Sequence, residues 1–127
     1  MPYRKILLID DDEDDQEIFL LAMRKLSARA SCTCESDATE ALKKLAAKQL
    51  NPDVIFLDLN MPVMNGQQFL ARVKSQAEFR HIPVIIFSTS GVQSTMQAVK
   101  ELGAQDFITK PGDLDTLVDI LAPLIGT

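Results

Sequence analysis

The stretch "KILLIDDDEDD", from Lys5 to Asp15, joins a short apolar run to six consecutive acidic residues. An apolar run of this length is typical of a buried strand. Two carboxylates about 4 Å apart repel each other by roughly 4 kcal/mol at an effective dielectric near 20, so the cluster needs a cation, a helix dipole or solvent to offset it. The fold must therefore bring positive charge to the end of this strand.

Four more apolar segments follow, and segments with helical periodicity separate them. The predicted strands are residues 5–9, 30–35, 53–59, 83–88 and 106–109. Apolar residues at helical spacing are Ile18, Leu21, Ala22 and Leu26; Ala38, Ala41, Leu42, Leu45 and Ala46; Gly66, Phe69, Leu70 and Val73; and Leu114, Leu117, Val118 and Leu121. A fourth helix is predicted from Val92 to Leu102, ended by Gly103 as a left-handed cap. This alternation predicts a parallel sheet covered by helices on both faces.

Five βα units account for the whole chain, residues 1–127, as one domain without a linker or repeat. Because parallel strands are joined by right-handed crossovers, five units favour the doubly wound, flavodoxin-like α/β strand order 2-1-3-4-5. Asp37, with Glu40 three residues later, predicts a capping box at the start of the second helix.

Composition excludes several classes of partner. The chain has 127 residues, 46% of them hydrophobic, and a net charge of −5. Nucleic acids and anionic membranes both require a basic face, so neither is expected as the main partner. The apolar run after "MPYRK" is too short for a signal peptide or a membrane span, which predicts a cytoplasmic protein.

The chain's two cysteines and single histidine fit structural roles better than chemical ones. Cys32 and Cys34 would lie on one face of a strand, too far apart for an easy disulfide, and no nearby His or Cys completes a metal site. His81 precedes the fourth strand, at the opposite end from the other candidate residues, and is interpreted as a surface residue.

Reactive side chains follow four of the five strands. Asp10 and Asp11 come after the first strand, Asp58 after the third, Ser88 at the end of the fourth and Lys110 after the fifth. Ligands bind at the carboxyl ends of strands in such sheets, so these groups should share one site. Several carboxylates suit Mg²⁺, a hard cation that prefers oxygen ligands.

The remaining acids of the cluster, residues 12–15, are interpreted as partners of the positive N-terminal end of the first helix. Counting from the strand end assigns the second metal ligand to Asp11. A shift of one residue would move that role to a neighbour in the cluster.

With "IDDD", "DLNMPVMNG", "FSTSG" and "KPG" in this order at the strand ends, the chain resembles the receiver domain of bacterial two-component response regulators, and is similar to the single-domain, chemotaxis-type (CheY-like) regulators. The resemblance covers essentially the whole chain. It implies these site residues: Asp58 as phosphoacceptor; Asp10, Asp11, Asp58 and the backbone carbonyl of Asn60 as Mg²⁺ ligands; Ser88 as the hydroxyl at the phosphoryl group and Lys110 as the lysine of the pattern; Ser88 and Phe107 as the switch; Pro62, Gly66 and a cis Lys110–Pro111 bond as structural features.

The implied chemistry is transfer of a phosphoryl group to Asp58 from a histidine of a partner kinase or phosphotransfer protein, since His81 is misplaced for that role. The chain would act as a regulator and not as an enzyme on an external substrate. Because it ends soon after the fifth helix, output is expected through docking of a protein on helix 4, strand 5 and helix 5.

Three alternative functions fit parts of this pattern. A phosphatase of the haloacid dehalogenase type needs a second Asp two residues after the nucleophile, where this chain has Asn60. A nucleotide- or flavin-binding module needs a Gly, Ser or Thr loop after the first strand, where this chain has carboxylates. A scaffolding receiver that is not phosphorylated is the nearer alternative, but such a domain usually lacks one of the site residues.

Two residues depart from the commoner pattern of the family. Phe107 has no phenolic hydroxyl, so the switch would depend on burial of its ring. Ser88 replaces the commoner Thr and lacks the methyl group that restricts the rotamer.

Overall fold

The computed structural model describes residues 3–26, 29–89 and 93–125. The five strands are β1 (Lys5–Ile9), β2 (Ser31–Glu35), β3 (Val54–Leu57), β4 (Val84–Ser88) and β5 (Asp106–Thr109). The five helices are α1 (Glu13–Leu26), α2 (Ala38–Ala46), α3 (Gly66–Ser75), α4 (Gln93–Glu101) and α5 (Leu114–Ile125). The strands form one parallel sheet in the order β2-β1-β3-β4-β5, which confirms the predicted topology.

Side chains of the central strands alternate between two apolar cores, one on each face of the sheet. Leu7 and Ile9 of β1 pack towards α2 and α3, whereas Ile6 and Leu8 pack towards α1 and α5. Both faces are covered, so β1, β3 and β4 are continuous apolar runs, as expected for buried parallel strands. Within the described ranges, none of the helices is both long and apolar enough to span a bilayer.

The helix signals were partly confirmed. Asp37 caps α2 by accepting hydrogen bonds from the backbone N–H groups of Thr39 and Glu40, which is one half of the predicted capping box; the return bond to the Glu40 side chain is not among the hydrogen bonds of the described residues. Gly103 has a φ of 108°, in the region that favours glycine after a helix. The predicted helix start at Val92 lies outside the described residues.

Only two of the four apolar residues that predicted α1 lie on its buried face. Ala22 and Leu26 are buried as expected, but Ile18 and Leu21 are 43% and 41% exposed. The inward face instead includes Phe19, whose ring packs edge-on against Phe56 of the sheet. An apolar stretch of helix offers more than one face at helical spacing, and packing against α5 and the sheet selects the face that is buried.

The predicted cis Lys110–Pro111 bond is also wrong, because no cis peptide bond occurs in the described part of the chain. The tight cis turn was expected in order to aim the Lys110 amine at the pocket. With a trans bond, the backbone N–H of Lys110 still donates to the Ser88 carbonyl, and the long side chain by itself reaches Asp10.

Candidate functional site

Three carboxylates meet at the carboxyl edge of the sheet. One oxygen from each of Asp10, Asp11 and Asp58 lies within 4.8 Å of the others. Parallel pairing of β1 with β3 brings them together, and the Asp58 N–H donates to the Ile9 carbonyl at 2.9 Å. Asp10 and Asp58 are buried, whereas Asp11 is exposed. The cluster is therefore open to solvent at Asp11.

The positive group that the acidic cluster requires is the ammonium of Lys110. Its Nζ lies 2.7 Å from Asp10 Oδ2, 2.8 Å from Asp15 Oδ2 and 3.8 Å from Asp58 Oδ2. The lysine side chain is only 8% exposed. Because β5 lies two strands away from β3, only a long side chain can extend from the end of β5 to these acids.

Burial sets the electrostatics of the pocket. It raises the pKa of Asp10 and of Asp58, although the neighbouring Lys110 ammonium acts in the opposite direction. Burial would lower the pKa of Lys110, but the contacts with Asp10 and Asp15 outweigh it and raise that pKa. The buried carboxylates are thus more costly to ionise than in water, and a cation binding beside them would reduce that cost.

Two buried polar atoms have unmet hydrogen-bonding capacity. Among the described residues, neither Ser88 Oγ nor Asp10 Oδ2 has a hydrogen-bond partner of ordinary geometry, although Asp10 Oδ2 is in an ion pair with Lys110. The Ser88 hydroxyl lies close enough to Asp58 to lower its pKa, against the larger effect of burial. An unsatisfied buried group costs about 1–3 kcal/mol, so the pocket fits an incoming group that supplies the missing partners.

The donor set fits a hard divalent cation. Carboxylate oxygens from Asp10, Asp11 and Asp58, with an opening to solvent at Asp11, match the few carboxylates and several waters that Mg²⁺ prefers. The described part of the chain holds no His or Cys within this group, so the chemistry of the cluster does not favour a softer metal.

The loop that follows Asp58 turns sharply back over the pocket. Gly66 donates its N–H to the Leu59 carbonyl at 3.1 Å, and a Cβ built on Gly66 would collide with the backbone oxygen of Asp58 and lie 2.7 Å from Leu59 Cα. Asn65 then caps α3 in a reciprocal capping box with Gln68. Only glycine allows this close approach.

The family model of the response regulator receiver domain matches residues 6–122 of the chain. This chain belongs to that family. Among relatives, it is 29% identical over 123 residues to the chemotaxis protein CheY1 of Helicobacter pylori, covering 97% of this chain and 98% of that protein. It is 35% identical over 125 residues to protein-glutamate methylesterase/protein-glutamine glutaminase 1 of Syntrophomonas wolfei, covering 96% of this chain and 34% of that protein.

The solved structure of a phosphorylated cyanobacterial phytochrome response regulator, RcpA, superposes on this receiver domain with a TM-score of 0.87. The two are 29% identical, and the match covers 95% of this chain and 90% of RcpA. Other relatives are longer, and the chain spans between 20% and 70% of their length. The receiver family is regulatory, and in the methylesterase relatives the match spans only a minor part of the protein.

Most of the site residues predicted for the receiver domain lie at the expected strand ends. The structure brings Asp10, Asp11 and Asp58 together with Lys110, and it places Ser88 buried beside them. The N–H groups of Asn60 and Leu59 lie near the Asp58 carboxylate and lower its pKa, against the larger effect of burial. The metal role of the Asn60 carbonyl and the structural role of Pro62 stay predictions.

Phe107 lies away from the acids, on β5. Its ring is half-buried and lines a groove of about 320 Å³ between α4 and β5, together with Met96 and Val99. Ser90 and Gly91 of the "FSTSG" motif, which follow Ser88 in the chain, lie outside the described residues. His81 is exposed, as predicted.

Asp15 is the site residue that the sequence analysis missed. It was interpreted as a partner of the helix dipole, but its carboxylate accepts a hydrogen bond from Lys110, 95 residues away. The sequence pattern contains no signal for this contact, because it depends on how α1 lies against the end of β5.

Proposed function

We propose that this receiver domain accepts a phosphoryl group on Asp58 from a phosphohistidine of a histidine kinase or a histidine phosphotransfer protein, with Mg²⁺. One observation carries the proposal. A buried Asp58 carboxylate lies 3.8 Å from the Lys110 ammonium and beside the Ser88 hydroxyl, which has no hydrogen-bond partner among the described residues. A nucleophile, a cation and a free donor therefore surround one point.

The chemistry follows from these groups. A carboxylate oxygen of Asp58 attacks phosphorus, a P–O bond forms, the P–N bond to the donor histidine breaks, and the imidazole leaves and is protonated. The transition state spreads negative charge over the phosphoryl oxygens, so positioned charges supply most of the catalysis. Lys110 contributes its ammonium, and Ser88 contributes a hydroxyl that donates to a phosphoryl oxygen.

The residues that would hold Mg²⁺ are Asp10, Asp11, Asp58 and the backbone carbonyl of Asn60. When bound, the ion would neutralise charge on the phosphoryl oxygens and on the carboxylates. We infer no turnover of an external substrate, because Asp58 itself is the group that is modified.

Output is proposed through a protein that docks on α4, β5 and α5. A phosphoryl group adds roughly −1.5 to −2 charges and would draw the Ser88 hydroxyl towards it, which leaves room for Phe107 to turn inwards. Phe107, Met96 and Val99 form the apolar part of a groove that polar residues also line, and Asp115 and Asp119 on α5 are exposed. A partner with an apolar centre and a basic rim fits this surface.

The phosphoacceptor is tested with a small acyl phosphate donor and Mg²⁺, because such a donor needs only the receiver's own site. Intact-mass spectrometry should show one added phosphoryl group on the wild type and none on Asp58→Asn. Asp119→Asn, a change of the same kind on exposed α5, serves as the control and should be phosphorylated normally. Equal phosphorylation of wild type and Asp58→Asn would exclude this assignment.

The output surface is tested by amide NMR on the free and phosphorylated states. Shifts should extend from the Asp58 pocket to α4, β5 and α5, weaken in Ser88→Ala and strengthen in Ser88→Thr. Shifts confined to the pocket would reject this route.

The scaffolding and phosphatase alternatives are not favoured, since every residue type of a working receiver is present and Asn60 stands where the phosphatase needs an acid.

A further inference from the structure

The Lys110 ammonium is shared unequally among three carboxylates. It lies 2.7 Å from Asp10 and 2.8 Å from Asp15, but 3.8 Å from Asp58. The bond to Asp15 is a well-formed hydrogen bond between Nζ and Oδ2. The lysine therefore lies closer to two flanking acids than to the proposed phosphoacceptor.

Water reaches this arrangement mainly at Asp15, whose side chain is 32% exposed. The Lys110 side chain is 8% exposed and Asp10 is fully buried, so the ammonium is positioned by the carboxylates around it. Coulomb attraction falls with distance, and at equal dielectric the Asp58 contact is about a quarter weaker than the Asp15 contact. The ammonium is therefore held more strongly by Asp10 and by Asp15 than by Asp58.

The start of α1 fixes the position of Asp15. The Asp12 side chain accepts hydrogen bonds from the N–H groups of Asp14 and Asp15, at 2.9 and 3.2 Å. This cap sets the rotation of the first turn, so Asp14 is exposed whereas Asp15 is half-buried against Lys110. Two adjacent acids of similar charge and helix position therefore differ in their access to the pocket.

We propose that Asp15 is a positioning residue that holds the Lys110 ammonium towards α1 and so restrains capture of a phosphoryl group at Asp58. The inference rests on the proposed function. During capture the ammonium must approach the phosphoryl oxygens, which requires the hydrogen bond to Asp15 to lengthen or break. The carboxylate of Asp15 also repels the incoming anion.

The matched pair Asp15→Asn and Asp14→Asn tests this role. Each variant removes one negative charge from the first turn of α1, but only the first changes the partner of Lys110. At saturating Mg²⁺ and with a small acyl phosphate, Asp15→Asn should be phosphorylated about two- to fivefold faster than wild type, the range that loss of a partly exposed ion pair implies. Asp14→Asn should be phosphorylated at the wild-type rate. Asp15→Glu keeps a carboxylate that can bind Lys110, so its rate of phosphorylation should fall back towards that of the wild type.

A spectroscopic measurement separates positioning from a loss of fold. The ¹⁵N resonance of Lys110 Nζ should shift in Asp15→Asn and not in Asp14→Asn, while both variants keep the wild-type circular dichroism spectrum. Equal rates in the two Asn variants, or slower phosphorylation of Asp15→Asn, would overturn the inference and leave the proposed function intact. Absence of phosphorylation in the wild type would overturn both.

Discussion

The backbone N–H of Lys110 donates a 2.9 Å hydrogen bond to the carbonyl of Ser88. This bond continues the pairing of β4 with β5 past the last strand residues, where Ser88 lies opposite Thr109. The main chain thus holds the residue that carries the ammonium against the residue that carries the hydroxyl. The two groups on the β4–β5 side of the pocket are therefore positioned by the sheet itself.

Ser88 should contribute little to the stability of the unphosphorylated protein. Its Oγ is buried and has no hydrogen-bond partner in the described part of the structure, so Ser88→Ala should leave the free energy of unfolding unchanged or raise it by up to about 1 kcal/mol. Ser88→Thr adds a methyl group at a fully buried position and should cost about 1 kcal/mol. Urea denaturation measures both, and a loss above about 1 kcal/mol in Ser88→Ala would show that the hydroxyl has a structural partner.

Mg²⁺ should raise the melting temperature through Asp11 and not through Asp12. Asp11 belongs to the three-carboxylate cluster, whereas the Asp12 side chain caps α1. A ligand at a hundredfold excess over Kd raises the free energy of unfolding by about 2.7 kcal/mol. In a domain of this size that corresponds to a rise of roughly 10 °C in the melting temperature. Asp11→Asn should lose most of this shift.

The control for that experiment is Asp12→Ala. It should melt lower without metal, because loss of an N-cap costs about 1 kcal/mol, but it should keep the wild-type response to Mg²⁺. A reversed result, with the response lost in Asp12→Ala and kept in Asp11→Asn, would move the metal ligand by one residue along the cluster.

Gly66→Ala should be strongly destabilising. The added Cβ would collide with the backbone of Asp58 and Leu59, and neither can move without shifting the pocket. We expect a loss of about 2–3 kcal/mol in the free energy of unfolding, measured by thermal and urea denaturation. Gly112→Ala is the matched control, since a Cβ there meets nothing within 4 Å, and that variant should be neutral or slightly more stable.

Val63 should be replaceable with a gain in stability. It is 92% exposed and has a φ of 66°, a left-handed conformation that is costly for a β-branched residue. Val63→Asn should gain about 1 kcal/mol because the short polar side chain of Asn can hydrogen-bond locally in this region, and Val63→Ala should gain less because a methyl group cannot. Lower stability in Val63→Asn would mean that the exposed side chain makes a contact that outweighs the strain.

Acid should weaken the link between β1 and β3 at Asp53. Its carboxylate accepts the N–H groups of Lys5 and Arg4 at 2.9 and 3.1 Å, and these bonds lower its pKa below the ordinary 3.8. Because the pKa of Asp53 is lower in the folded protein than in the unfolded chain, its stabilising effect is complete above the pKa of the unfolded chain. The effect is lost as the pH falls through the pKa of the folded protein.

The comparison is with Asp53→Asn, which keeps an acceptor oxygen but cannot titrate. The wild type should be more stable than this variant near neutral pH, and the difference should shrink as the pH falls below 3.8. Denaturation curves recorded across this range measure it. A constant difference at every pH would show that the hydrogen bonds do not depend on the charge.

Local patterns were sufficient for the order of elements and for most of the site. Apolar runs of strand length and helical spacing are properties of neighbouring residues, and the handedness of parallel crossovers then leaves few topologies. Asp37 and Gly103 could be identified as cap residues because capping depends on one or two turns of chain. Asp10, Asp58, Ser88 and Lys110 could be assigned to one edge because each follows a strand.

Contacts between distant elements could not be predicted in this way. Ile18 and Leu21 have the spacing of an inward face, yet packing of α1 against α5 and the sheet leaves both exposed. The Lys110–Pro111 bond is trans, and the lysine side chain reaches Asp10 without a tight turn. Asp15 was indistinguishable from Asp14 in sequence, and only the rotation of the first turn of α1 places its carboxylate 2.8 Å from Lys110. The sequence determines which residues end each strand, since that depends on near neighbours, whereas the tertiary structure decides which charges share the ammonium, since that depends on distances between elements far apart in the chain.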